Sequence, residues 1–152
     1  MAEPTFDLQS AHKYFSTTCF NRTWEFIEKQ QRTEEDNQTM ILLSMASLWH
    51  WTQRPDCAPN NLFGGYWQIS RVYAIIGNAE QARIYGQLAL KHGTEAGPFH
   101  EGYGHEALAH AEMVAGNKEQ MRQHLEKARK LAETVTNAEE KKYLLADLDS
   151  MS

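Results

Sequence analysis

Between residues 118 and 135 the apolar residues Met121, Leu125, Ala128, Leu131, Ala132 and Val135 recur at steps of three and four, with charged residues filling the gaps. That spacing lays one apolar stripe along a helix. A narrower seam runs through 79–92, where Ala82, Gly86 and Ala89 are flanked by Ile84, Tyr85 and Leu88. Small residues at helical spacing predict a helix packed close against its neighbour. Each of these helices follows another apolar segment, 61–76 and 99–115, and both joints read Gly-Asn, at Gly77 and Asn78 and at Gly116 and Asn117. Glycine supplies the left-handed backbone that terminates helices, so the pattern predicts four antiparallel helices over 61–135.

The first sixty residues are helical in pattern but less regular. Thr33 followed by Glu34, Glu35 and Asp36 has the spacing of an N-terminal cap with acids in the first turn. It predicts a long helix lasting to Arg54, just before Pro55. Residues 7–29 are expected to pack against it, with a break near 19–21, so that 7–54 forms a divergent first unit. At the other end Asn137, Glu139 and Glu140 cap a last helix over 137–150 that carries Tyr143, Leu144, Leu145 and Leu148. No segment shows strand-like alternation. The expectation is a single all-α domain.

The segment GNAEQAR at 77–83 matches GNKEQMR at 116–122, and Ala89 matches Ala128 at the same offset of 39 residues. A repeated helical hairpin cannot bury its apolar face alone and does so by stacking on the next copy. Here the chain resembles the tetratricopeptide repeat (TPR) family, whose unit is about 34 residues. Tyr73, Gly77, Ala82 and Ala89 stand where that family's Tyr, Gly, Ala and Ala belong, and Gly116 and Ala128 keep those places in the second copy. Gly86 stands where an aromatic is usual, Met121 replaces the packing Ala and Glu112 replaces the Tyr. The unit is also about five residues too long, a surplus expected to sit in the loop 93–98.

The resemblance covers about 61–133. It implies a right-handed stack of antiparallel helical hairpins, a TPR-like α-solenoid with repeats at 61–93 and 99–135 and a C-terminal capping helix. It also implies a ligand in the concave groove lined by the first helix of each unit. The registers at Gly77 and Gly116 then select Trp67 and Arg71 from one unit and Tyr103, Glu106 and His110 from the next.

Arg71 offers a planar fork for a carboxylate or phosphate, and Trp67 and Tyr103 offer flat faces with one polar end each. Glu106 and His110 are four apart, so they share a helix face and can hydrogen-bond. The leading expectation is a non-enzymatic binding module for a peptide or partner protein, or for a small anionic ligand. A second concentration, Trp49, His50 and Trp51 followed by Phe63, Tyr66 and Trp67, reads either as packed core or as a partly open pocket. Consecutive helical side chains diverge by about 100°, so at least one of the three at 49–51 borders another surface. His50 and Trp51 are therefore candidate ligand contacts. The alternative function is a small-molecule protein or enzyme with His50 or His110 as base and Arg71 as anion anchor.

His105 and His110 invite a zinc reading, but they are five apart and diverge by about 140° around a helix, so they cannot chelate one ion together. His12, His92, His100 and His124 take no role. No phosphate loop, Cys-x-x-Cys pair or nucleophile elbow occurs, and neither metal nor cofactor is expected.

Charge narrows the partners. The 152 residues carry 15 Lys and Arg against 20 Asp and Glu, a net charge of -5, which leaves no basic footprint for nucleic acid or an anionic membrane surface. The longest apolar stretch, 40–51, is interrupted by Ser44, Ser47 and His50 and falls short of the roughly 20 residues a spanning helix needs. Residues 1–10 have no apolar core of a secretory signal. A cytoplasmic protein is expected, with Cys19 and Cys57 as reduced thiols.

Overall fold

The computed structural model describes residues 2–152. Its elements are seven helices, α1 (Leu8–Ile27), α2 (Glu34–Thr52), α3 (Pro59–Ile76), α4 (Ala79–Ala96), α5 (Pro98–Ala115), α6 (Lys118–Thr134) and α7 (Ala138–Asp149), with no strand among the described residues. The ends follow local chemistry. Thr33 and Asp36 form a reciprocal capping box at 3.0 and 3.1 Å, and Asn137 Oδ1 accepts from the backbone N–H of Glu139 and Glu140. Both α3 and α5 begin on a proline, whose missing N–H has no partner to lose in a first turn. Both end on a glycine in the left-handed region, Gly77 at φ 92° and Gly116 at φ 79°.

Consecutive helices pack against each other, and α1 also touches α3, α3 touches α5 and α5 touches α7. The repeat offset of 39 separates α3 from α5 at both their first and last residues. Ile69, Val72 and Leu108 are fully buried in this region, and Leu144 and Leu148 of α7 close one end of the core on Leu125, Ala128 and Ala132.

Three sequence expectations are corrected. α1 runs unbroken through 19–21, because its buried face is built of His12, Ser16, Cys19 and Thr23 at helical spacing; Thr23 Oγ1 bonds the Cys19 carbonyl, while Ser47 Oγ caps the Ser16 carbonyl from α2. α2 stops at Thr52, two residues short of Arg54. The extra residues of the repeat do not form a loop. They extend α4 to Ala96, so that Gly97 alone, at φ 124°, connects α4 to α5.

The longer helix is possible because two glycines let α4 and α5 approach closely. A Cβ on Gly93 would lie 2.7 Å from the His100 carbonyl oxygen, and one on Gly104 would lie 2.7 Å from Leu90 Cα. Both obstacles are main chain and cannot rotate aside.

Gly93→Ala and Gly104→Ala should therefore each destabilise the protein by about 1–3 kcal/mol, despite alanine's intrinsic helix advantage of about 1 kcal/mol. Gly64→Ala, where a Cβ meets nothing within 4 Å, should be neutral or stabilising. Urea denaturation midpoints measure all three, and a stabilising Gly93→Ala would contradict the close crossing.

Candidate functional site

Trp67 and Arg71 are one turn apart on α3, and Glu106 and His110 are one turn apart on α5, so each pair shares a helix face. The offset of 39 residues sets Trp67 against Glu106 and Arg71 against His110. Trp67 Nε1 donates to Glu106 Oε2 at 2.9 Å, and Arg71 Nη2 donates to Glu106 Oε1 at 2.5 Å. His110 Nε2 lies 2.9 Å from the same Oε1, and its Nδ1 faces Arg71 Nη1 at 3.3 Å. The Arg71 guanidinium also sits 5.3 Å from the centre of the Trp67 ring.

Glu106 is only 1% exposed. Burial alone pushes its carboxyl pKa up, but the His110 hydrogen bond, the Arg71 charge and the Trp67 N–H outweigh that and hold it below the usual carboxylate value. The group is therefore an ionised carboxylate, buried and paired.

Tyr103 stands beside this network with its ring perpendicular to Trp67, centroids 6.1 Å apart. Its hydroxyl donates to Asp147 Oδ2 of α7 at 2.5 Å, and burial together with that partner raises the phenol pKa far above its ordinary value. Trp24 of α1 lies against Trp67 at 5.8 Å. Four of the five positions selected from the sequence, Trp67, Arg71, Glu106 and His110, line one groove of about 350 Å³ that Trp24 and Ile27 of α1, Ile75 of α3, and Asp147 and Ser150 at the end of the chain complete, while Tyr103 borders the neighbouring cavity. Trp24, Asp147 and Ser150 were not anticipated, because they lie outside the repeat that supplied the register.

One expected role changes. The Arg71 fork, read as open to an anion, already holds Glu106, and the two charges cancel. Removing Arg71 would leave a buried carboxylate short of its cation, so folding and any binding at this residue are not separable.

His50 and Trp51 lie elsewhere. His50 Nδ1 faces His12 Nδ1 at 2.9 Å between α1 and α2, and Trp51 carries the Arg54 guanidinium 3.8 Å from its ring centre. Trp51 lines a separate cleft of about 250 Å³ with Thr17, Asn21 and Asn60. Neither joins the Arg71 groove. Of the three residues at 49–51, Trp49 is the one turned to solvent, at 55% exposure. His12 and His124, given no role from sequence, are instead the partners of His50 and His105; the second pair has its Nδ1 atoms 3.1 Å apart. Burial, reinforced by His124 and Lys127, lowers the His105 pKa to about 4. Among the described residues no group of three His, Cys, Asp or Glu could hold a metal ion. No described helix is long and apolar enough to cross a membrane.

Fold and site together define an all-α protein whose odd-numbered helices present one shared, side-chain-rich face. Comparison with protein-family models, with curated proteins and with solved structures finds no match to this chain.

Arg71→Leu should destabilise the fold by about 1.5–3 kcal/mol, since it strips a charged hydrogen-bond partner from buried Glu106. The double variant Arg71→Leu with Glu106→Leu should recover much of that loss, and a double-mutant cycle in urea measures the coupling.

His105 gives a pH dependence of defined sign. Its pKa falls from 6.5 to about 4 on folding, so between those values the unfolded chain binds a proton that the folded chain refuses. Stability should drop as pH falls from 6.5 towards 4, and His105→Gln should flatten that slope in thermal melts. Glu106 contributes in the same direction at lower pH, where protonation removes its pairing.

Proposed function

We propose that this protein is a non-enzymatic binding module, a short TPR-like solenoid that takes an extended segment of a peptide or partner protein along the face shared by α1, α3, α5 and α7. The observation that carries this reading is the register of Trp67 on Glu106 and of Arg71 on His110. The two contacts repeat at the same offset of 39 residues, so equivalent positions of successive units line one continuous surface. Stacked helical repeats commonly bind along such surfaces.

The internal saturation of the network favours binding over catalysis. Glu106 accepts from three side chains, and both ring nitrogens of His110 face partners within the network. A general base needs an atom free to receive the substrate's proton, whereas a recognition surface gains from side chains already fixed in place. Trp24, Ile27 and Ile75 add apolar contact area to the same groove.

Random-peptide display on the immobilised protein should enrich binders whose affinity falls at least about tenfold when Ile75→Glu places a charge in the groove, a desolvation penalty of the expected size. Leu42→Glu, at a residue already 70% exposed on α2, should leave affinity unchanged. Binders that respond equally to both variants would place recognition outside the groove.

A further inference from the structure

Beside the groove, and sharing Trp67 and Asp147 with it, lies a cavity of about 440 Å³. Its walls are rings drawn from four helices, among them Phe20 of α1, Phe63 of α3, Phe99 and Tyr103 of α5, and Tyr143 of α7. Tyr103 stands at 89° to Trp67 and at 79° to Phe99, so ring faces and edges meet the space from different directions. Tyr143, 58% exposed on the capping helix, turns one side of the cavity towards solvent.

The charge here is of one sign. Asp147 is the sole charged side chain among the described residues that line the cavity. The Tyr103 hydroxyl holds its Oδ2, which fixes the carboxylate against the cavity. His100, also in the wall, has its pKa lowered by burial and so is neutral at physiological pH. Glu140 lies near enough to act on His100, and the chain as a whole carries -5. An anion is disfavoured here, and a cation would gain the Asp147 carboxylate as a counter-charge.

We infer that this aromatic cavity seats a methylated ammonium group, carried on a lysine side chain of the peptide that occupies the groove. The inference rests on the groove reading for its peptide and on the cavity alone for its cation. A primary ammonium is compact and strongly hydrated, and a wall made mostly of ring carbon, with Phe20, Phe63, Phe99 and Trp67 in it, does not replace that hydration. Methylation removes its N–H donors and spreads the charge over apolar methyl groups, which rest on the electron-rich faces of aromatic rings. Asp147 supplies the counter-charge. The backbone carrying the lysine then continues past Trp67 into the groove, where Trp24 and Ile75 receive its neighbours.

Calorimetric titration tests this with a groove-binding peptide from the display selection, made with its lysine either unmodified or trimethylated. Choline and its neutral carbon isostere, 3,3-dimethylbutanol, are titrated alongside. Trimethylation should tighten the peptide about tenfold, a gain of the order expected for a desolvated cation on aromatic rings. Choline should bind weakly and the isostere more weakly still. Tyr143→Ala and Asp147→Asn, both at exposed positions, should each abolish most of the trimethylation gain with circular dichroism unchanged. A gain that survives both variants, or an isostere equal to choline, overturns the cation site and leaves the groove standing. Choline binding as tightly as the trimethylated peptide supports the cation site and overturns the peptide groove.

Discussion

Glu106 is a charge in the interior. Taking a carboxylate out of water costs several kcal/mol unless partners replace the lost hydration, and here Arg71, His110 and Trp67 replace it together. Two of those partners sit on α3, so the register between α3 and α5 is fixed by the need to keep the charge paired. A one-residue slip would turn Trp67 and Arg71 by about 100° and strand the carboxylate. The packing of the two repeats and the shape of the groove thus depend on the same few atoms.

Three positions at which the chain is unlike the TPR pattern it resembles carry contacts of their own. Gly86 leaves no room for a larger side chain, because Leu108 of α5 lies against it: a Cβ there would lie 2.9 Å from Leu108 Cδ2 and 3.3 Å from Ser70 Oγ. Glu112 replaces a tyrosine and is nearly buried, held by Arg83 Nε at 2.7 Å and by Asn117 Nδ2 at 2.7 Å. It ties the end of α5 both to α4 and to the turn that follows. Met121 replaces the packing alanine and fills space against the cluster formed by α5, α6 and α7.

How much could be read in advance varied with what each segment buries. The helices of 61–135 bury aliphatic and small residues at regular steps, and two of their ends carry glycines whose φ is positive, Gly77 and Gly116, so the period and those two turns were visible. α1 buries His12, Ser16, Cys19 and Thr23, a stripe with helical spacing but little hydrophobic contrast, and its continuity was hidden for that reason. The reach of α4 beyond His92 was hidden because Gly93 reads as a terminator when its contact with α5 is unknown. At the site, the register of the repeat selected Trp67, Arg71, Glu106 and His110, which line one groove, and Tyr103, which borders the cavity beside it. The pairing of Arg71 with Glu106 was not read, because Arg71 was assigned to a ligand anion although an opposite charge stood at a neighbouring register position. Trp24, Tyr143 and Asp147 belong to elements outside the repeat, where no register existed to transfer.

The composition of the α1 seam also bears on how the molecule moves. α1 is attached by hydroxyls, an imidazole pair and the Gln68 amide, which reaches the Phe20 carbonyl at 3.0 Å, and not by a broad aliphatic face. Hydrogen bonds of this kind exchange readily with water at small net free energy, so the polar part of this seam opposes the lifting of α1 only weakly. Local opening concentrates where little apolar area is at stake. Trp24 lines the groove and Phe20 the cavity beside it, and both ride on this helix, so breathing of the amino-terminal wall changes the width of both. Amide exchange in α1 is thereby expected to slow when the groove is filled, which makes this polar seam a reporter of occupancy.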